Sequence, residues 1–410
     1  MTMVPSRTAD FLVIGGGIIG VSVARSIRSR WPDASVVLVE KETSCGQHAS
    51  RRNSGVLHAG FYYDKDSLKA RFSREGNERL ARYCNEKELP LSQCGKLIVA
   101  RDAQDLPGLD ELARRGEVNG VELHRVTPRE AADIEPRART FGSALFSPRT
   151  ATVDPGAVVD SLVSDARATG VDIQDRNPFV GLKGTQVATS RGAFSAGFVV
   201  NAAGLQADRV AQEFGFGREY RILPFKGLYL ESTRGAPEMR THVYPVPDSR
   251  YPFLGVHLTR TVSGTTKVGP TALPALWREQ YSGLRGFRSD ELVEIGIAES
   301  RMLLTDRGFR RLAFRELRRC SQRVLLKRAS ELVPDVQETR DWKWGAPGIR
   351  AQLQNRTTGA LVSDFVLEGN DRSMHILNAV SPAFTCALPF ADYVVDRIAR
   401  DHAGEESKLT

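Results

Sequence analysis

The chain of 410 residues is poor in the features that define several protein classes. Its five cysteines, Cys45, Cys84, Cys94, Cys320 and Cys386, are odd in number, widely spaced and free of any C-x-x-C pair. That pattern speaks against a disulfide scaffold and a structural zinc, and it suits a reducing compartment. The seven histidines show no H-E-x-x-H or comparable spacing, so no metal site is expected. No segment has the length and apolarity of a membrane span. The apolar stretch near the N-terminus is broken by glycines and lacks a small-residue cleavage site close behind it, which makes a poor secretory signal. A cytoplasmic protein is the expectation. Repeats and low-complexity segments are absent.

Charge of one sign is also scarce outside one stretch. The net charge is +8. Between Arg301 and Arg328 ten basic residues face only Asp306 and Glu316, a local excess of eight. The remainder is balanced, which argues against a general nucleic-acid binder. The stretch itself reads either as a solvated helix face or as a patch for anionic lipid or an acidic partner, peripheral to the inner face of a membrane. At this length the chain can bury a large core, and two domains are expected.

What is present is organised around Phe11 to Arg25. An apolar run of strand length meets Gly15-Gly16-Gly17-Ile18-Ile19-Gly20, and a helical pattern follows at once. Gly15, Gly17 and Gly20 fit G-x-G-x-x-G. The first glycine allows a tight turn, the second a close approach of pyrophosphate, and the third close helix–strand packing. Ile18 and Ile19 open the helix, whose N-terminus offers unpaired N–H groups to phosphate. A second apolar run, Ser35 to Val39, ends at Glu40, where an acid can accept ribose hydroxyls. The context supports a dinucleotide site over a packing turn. Either NAD or FAD could occupy such a turn.

The chain then alternates elements in an order typical of an α/β protein. Residues 43–60 form a polar, glycine-punctuated loop beside the motif, where contacts to the far end of a cofactor are expected. Helices are predicted over 68–83 and 109–118. Thr127-Pro128-Arg129-Glu130 fits a capping box with proline at the first helical position, and Asp154-Pro155 opens a helix to about Ala168. The strand-like Phe198 to Asn201 leads into a second small-residue turn, Ala202-Ala203-Gly204. From Tyr220 to Gly269 the pattern becomes alternating strands, with a hairpin signal at Val262-Ser263-Gly264-Thr265. A turn at Ser381-Pro382-Ala383 precedes the last helix.

Later segments separate the two cofactor readings. Arg52 to Tyr63, Ser67 to Phe72, Lys226-Gly227-Leu228-Tyr229, Pro252 to Arg260, Gly348-Ile349-Arg350-Ala351-Gln352 and Asn378 to Ala383 occur in one order. In that order they resemble the L-2-hydroxyglutarate dehydrogenase/oxidase family, part of the D-amino-acid-oxidase-like group of FAD enzymes. The resemblance covers almost the whole chain. It implies an α/β fold with a Rossmann-like FAD-binding domain, discontinuous over 1–85, 146–218 and 342–410, and a mixed-sheet substrate domain over 86–145 and 219–341. It also implies FAD, oxidation of L-2-hydroxyglutarate to 2-oxoglutarate by hydride transfer from C2 to flavin N5, and reoxidation by quinone or dioxygen. The chain departs from the family pattern at Thr271 (usually Asn), Val380 (usually Pro) and Phe384 (usually Ala). These changes leave open a relative turned to another 2-hydroxy acid or an amine, for example in a specialised biosynthetic pathway. A flavin-binding protein that has lost its chemistry is a rival of another class.

Such chemistry needs a base for the hydroxyl proton and a cationic clamp for a carboxylate. His58 and His257 are the candidate bases, since an unperturbed imidazole accepts a proton near neutrality. By strand alternation His257 and Thr259 share one face and Arg260 the other. Arg350 is the candidate clamp. Lys226, Lys69 and Arg71 compete for a second carboxylate, with Tyr62 and Tyr63 as hydrogen-bonding neighbours; Thr271 and Phe384 are expected along the pocket wall. Gly15, Gly17, Ile18, Ile19, Gly20 and Glu40 should hold the adenosine half of the cofactor. Lys41, Arg51, Arg52, Asn53, Ser54 and Gly55 lie where pyrophosphate and flavin contacts are expected. Ala203, Gly204, Gly348, Ser381, Pro382, Ala383 and Phe384 complete the cofactor set, the last four at a helix N-terminus that favours negative charge.

Overall fold

A computed structural model describes residues 6–233, 238–247, 255–318, 321–337 and 342–406. The expected segment at 252–254 and Cys320 lie outside the described residues. The backbone forms two compact units, one of Met1–Arg51, Gly156–Ile222 and Ala351–Thr410, the other of Arg52–Pro155 and Leu223–Arg350. Compactness draws its cuts at 51, 155, 222 and 350, where the family resemblance implies cuts at 85, 145, 218 and 341.

In the first unit the strand Ser6–Ile14 lies centrally in an eight-stranded sheet, parallel to Val36–Val39 on one side and Gly192–Asn201 on the other. Leu12, Val13 and Ile14 are all buried, as expected for a parallel strand covered on both faces. Asp172–Gln174 extends the sheet beyond Val36–Val39, and Ser373–Leu377 pairs in parallel with the end of Gly192–Asn201. The helix Ile18–Arg30 follows directly from the glycine turn and buries Ile18, Ile19, Val21, Val23, Ala24 and Ile27. It packs against the last helix, Ala383–Glu406, and Ser26 donates a hydrogen bond to Asp392 at 2.6 Å.

The second unit is built on a different eight-stranded sheet. Its order is Trp342–Trp344, Leu230–Ser232, Thr266–Gly269, His257–Arg260, His242–Pro245, Lys96–Val99, Ala144–Ser147, His124–Val126. All its pairings are antiparallel except that of His242–Pro245 with Lys96–Val99. The expected hairpin is present: Thr261 N–H donates to the Thr265 carbonyl at 2.8 Å, and Gly264 takes a positive φ of +86°. The capping box at Thr127 and Glu130 is likewise complete. The helix expected over 68–83 runs Leu68–Glu86, started by Ser67, whose side chain accepts from Ala70 N–H.

Strand periodicity divides this sheet's two faces. Leu97, Val99, Val243, Leu258 and Val268 share one apolar cluster with Leu325, Leu326 and Ala329 of the helix Gln322–Ala329. Lys96, Ile98, His242, Tyr244, His257 and Thr259, at the alternate positions, therefore project from the opposite face. There Ile98 packs with Ala59, Phe61, Tyr62 and Leu145. One face of the sheet is oily. The other carries amine, imidazole, phenol and hydroxyl groups.

The tightest packing constraint is in the first unit. A Cβ at Gly20 would stand 1.9 Å from the Gly15 carbonyl oxygen, whereas one at Gly296, inside the helix Ser289–Thr305, would meet nothing. Gly20→Ala should cost about 2 kcal/mol or more, because backbone must move to admit the methyl. Gly296→Ala should be neutral or stabilise by up to about 1 kcal/mol through helix propensity. Thermal unfolding of the two variants checks this: equal midpoints would contradict the close approach.

Candidate active site

The first unit contributes a glycine cradle. Gly15 has φ +106°, and a Cβ there would lie 2.5 Å from the carbonyl oxygen of Ala202, so the two small-residue turns at the ends of neighbouring strands touch through bare backbone. Gly16 N–H donates to Glu40 Oε2 at 2.7 Å, and Glu42 N–H donates to Glu40 Oε1 at 2.8 Å. Those bonds fix a carboxylate that is only 7% exposed and leave further lone pairs for hydroxyl donors. Gly17 is the N-cap of Ile18–Arg30, without a side-chain cap, and the first turn holds no acidic residue. Ile18 N–H donates to Ser50 Oγ at 2.9 Å. Ser50 was missed by the motif reading because nothing local marks it out within a polar loop.

Other expected cofactor residues are placed as follows. Ala203 N–H donates to Asn201 Oδ1 at 3.1 Å, and Gly204 opens the short turn Gly204–Gln206. Pro382 and Ala383 are buried and Ser381 exposed at the start of Ala383–Glu406, with Phe384 half-buried in its first turn. Lys41 is ion-paired with Glu42 at 3.0 Å, and Arg51 is ion-paired with Asp160 and bonded to the Cys45 carbonyl. Both cations are thus engaged with protein groups. Asn53, Ser54, Gly55 and Gly348 belong to the second unit. Asn53 Oδ1 accepts from Gly55 N–H at 2.8 Å, and Gly348 lets its strand pass the Arg52 carbonyl, which a Cβ would meet at 2.2 Å.

The second unit gathers the candidate bases. His58 follows the strand Val56–Leu57 and is 7% exposed; His257 is 5% exposed. The His257 Nδ1 lies 3.0 Å from the Gly255 carbonyl, so it donates there and leaves Nε2 as the proton-accepting nitrogen. Tyr244 stacks on the His257 ring with centroids 3.7 Å apart and planes at 15°. Burial first, then the charge of Lys96, holds both imidazoles well below the usual histidine range. His58 also feels His257, and His257 feels Arg350 and His242.

Arg350 is half-buried, and its Nη1 donates to the Thr271 carbonyl at 3.3 Å. Thr271 is fully buried; its hydroxyl accepts from Leu228 N–H at 2.9 Å and donates to the Lys226 carbonyl at 3.2 Å. Its donor is therefore spent on backbone, and it acts as a clip that carries Arg350. Burial raises the Tyr229 hydroxyl, Arg350 and a bond to Ser54 opposing it. Lys69 is buried in Leu68–Glu86, and Lys226 is half-buried on Tyr220–Gly227. Arg71 is exposed, lying over the Phe72 ring; Arg260 bonds Ser92 Oγ at 3.0 Å, and its backbone N–H donates to His242 Nδ1 at 3.1 Å. Tyr62 is buried beside the histidines, and so is Lys96, which no sequence motif marks.

With a glycine cradle, a fixed acid and an uncapped helix terminus in one unit, the residues fit an adenine dinucleotide. The model of the DAO family, FAD dependent oxidoreductase, matches residues 10–397. The chain belongs to this family. It is 34% identical to the mitochondrial L-2-hydroxyglutarate dehydrogenase of Nematostella vectensis, over 97% of this chain and 92% of that protein. It is also 34% identical to the L-2-hydroxyglutarate dehydrogenase of Indibacter alkaliphilus, over 94% and 97%. The human mitochondrial relative is 32% identical, over 95% and 88%. Among solved structures, the chain resembles dithionite-reduced L-alpha-glycerophosphate oxidase from Mycoplasma pneumoniae with FAD bound. That likeness has a TM-score of 0.73 and 21% identity and covers 96% of this chain and 95% of that one. Glycine oxidase from Geobacillus kaustophilus gives 0.71 and 19%, over 97% and 96%. These two likenesses show the fold, a D-amino-acid-oxidase-like α/β architecture, as the resemblance implied.

Glu40 offers the sharpest check of the cradle. Glu40→Gln replaces an acceptor-only carboxylate and leaves one of its two backbone N–H partners facing an amide NH2. FAD retention should weaken by about 1–3 kcal/mol, roughly tenfold or more in Kd. Fluorescence titration of the apoprotein measures it, and an unchanged Kd would remove Glu40 from the cofactor site.

Proposed function

We propose that this enzyme oxidises L-2-hydroxyglutarate to 2-oxoglutarate. The near full-length relatives supply the substrate class. The observation that carries the chemistry is the electrostatic neighbourhood of His257 in the second unit, a neutral imidazole that feels Arg350 and acts in turn on a neutral His58. Arg350, held by the Thr271 carbonyl, grips the carboxylate beside the alcohol carbon through its guanidinium fork. His257, with Nδ1 committed to Gly255, takes the hydroxyl proton at Nε2; His58 is the second candidate for that role. When bound, FAD supplies the two-electron acceptor for the hydride leaving C2. Gly15, Gly17, Gly20, Glu40 and Ser50 hold it.

The substrate reading is tested by rapid-mixing reduction of the bound flavin with a panel of acids. L-2-hydroxyglutarate should reduce it fastest; slow reduction by it, with fast reduction by another hydroxy acid or an amine, would replace the substrate. Arg350→Met should lose about 1.5–3 kcal/mol of binding, a rise in KM of roughly 10- to 100-fold. Replacing the operative base with alanine should lower kcat by about a hundredfold or more with FAD still bound. His257→Ala and His58→Ala, assayed side by side, identify which imidazole that is.

The basic stretch makes the enzyme peripheral to an anionic membrane at its cytoplasmic face, where quinone is the electron acceptor; dioxygen is the alternative. No helix among the described residues is long and apolar enough to cross a membrane. Val293, Ile297 and Leu304 on Ser289–Thr305 and Phe314 on Arg307–Arg318 are exposed, Leu304 by 79%, beside exposed Arg301, Arg307 and Arg311. Apolar side chains rimmed by cations suit a headgroup layer better than a solvated face. Co-sedimentation with anionic vesicles should be strong at low salt and fall as salt is added. Absence of binding at low salt would leave the stretch a solvated helix face.

A further inference from the structure

Lys96 is an anomaly that the chemistry described so far does not use. It is the first residue of Lys96–Val99, and alternation turns it away from the oily face of the sheet. Its exposure is 0%, and its Nζ has no hydrogen-bond partner. In place of a carboxylate it has rings: Nζ lies 4.3 Å from the centroid of Tyr244, 5.2 Å from Tyr62 and 5.7 Å from Phe61. The Tyr244 ring is the one stacked on His257. A buried ammonium without an anion is costly, and ring faces repay only part of that cost.

Every element packed around this amine brings a neutral or basic group. The strand His242–Pro245 brings His242, directly opposite Lys96, and Tyr244. On the other side Ser147 is the register partner. His58, Phe61 and Tyr62 come from the segment after Val56–Leu57, Cys94 from two residues upstream, and His257 from the next strand. Arg260 adds its charge near His242, and Arg350 adds its own near His257. Among the described residues no acid is ion-paired with Lys96.

We propose that Lys96 is a positioning residue whose fully buried positive charge adds to burial in keeping both imidazoles neutral and ready to accept the substrate's proton. The function of the charge is exclusion. With a cation at Nζ, a second proton on His58 or His257 meets like charge in a dry site, and only an incoming carboxylate relieves it. Three features agree. Burial brings the Lys96 amine down to about 7, so the charge is present near neutrality yet responsive to its surroundings. Lys96 is the leading charge acting on His58, His257 and His242 alike. Tyr244 joins the cation to the base physically, one ring against both.

The inference rests on reading an imidazole as the base, and the test separates the two. Histidine-selective NMR on the oxidised holoenzyme follows the imidazoles of wild type, Lys96→Met and Lys96→Arg with pH. Removing the cation should raise the His58 and His257 titrations by on the order of one pH unit. Lys96→Arg, which keeps the charge, should follow wild type. Unmoved imidazoles in Lys96→Met, or Lys96→Arg behaving like Lys96→Met, would overturn the proposal. The acid limb of kcat/KM should rise with the imidazoles in Lys96→Met. Imidazoles that move while the limb stays would leave the electrostatics intact and remove the imidazole base from the mechanism, and with it the positioning role. Should Lys96→Met fail to fold, lysine-selective NMR of the wild type decides: the Lys96 amine must carry its proton over the pH range in which the enzyme turns over. A Lys96 amine already neutral across that range overturns the proposal.

Discussion

Bare backbone against bare backbone is the constraint from which the first unit follows. Gly15 rests on the Ala202 carbonyl and Gly20 on the carbonyl of Gly15, so two strand ends and a helix start converge where no side chain fits. Because Ser6–Ile14 and Gly192–Asn201 pair in parallel with Ile14 opposite Asn201, the two turns emerge at the same edge of the sheet. Glu40, closing the strand on the other side, reaches Gly16 N–H. The helix terminus, with no acidic residue in its first turn, thereby faces the same edge and favours an anion there.

In the second unit the organising fact is a period of two. Leu97, Val99, Val243, Leu258 and Val268 commit one face to the core, and the register of four adjacent strands then aligns Lys96, His242, Tyr244, His257 and Thr259 on the other. A slip of one residue in any of these strands would bury an imidazole or a lysine in oil. The same arithmetic that makes the core makes the site. Burial keeps the imidazoles neutral, and Thr271 seats Arg350 through its backbone carbonyl.

Much of this was legible in the chain because it is local. The strand–turn–helix at Gly15 to Gly20, Glu40 closing the second strand, the capping box at Thr127 and the Gly264 hairpin each span a few residues with distinctive chemistry. The shared face of His257 and Thr259 followed from alternation alone. What escaped depends on distant partners. Arg51 reads as a phosphate ligand until Asp160, 109 residues later, engages it. Thr271 reads as a pocket hydroxyl until the backbone of Lys226 and Leu228 occupies it. Lys96, in Lys-Leu-Ile-Val, reads as a strand residue; only the pairing of its strand with His242–Pro245 sets it under Tyr244. Division into units was hidden too, since compactness is a property of contacts between remote segments.

The most direct test is the visible spectrum of the purified protein, recorded anaerobically before and after L-2-hydroxyglutarate is added. The account predicts a yellow protein with one FAD per chain whose colour bleaches on addition of the acid. A folded, colourless protein that refuses added FAD would contradict it.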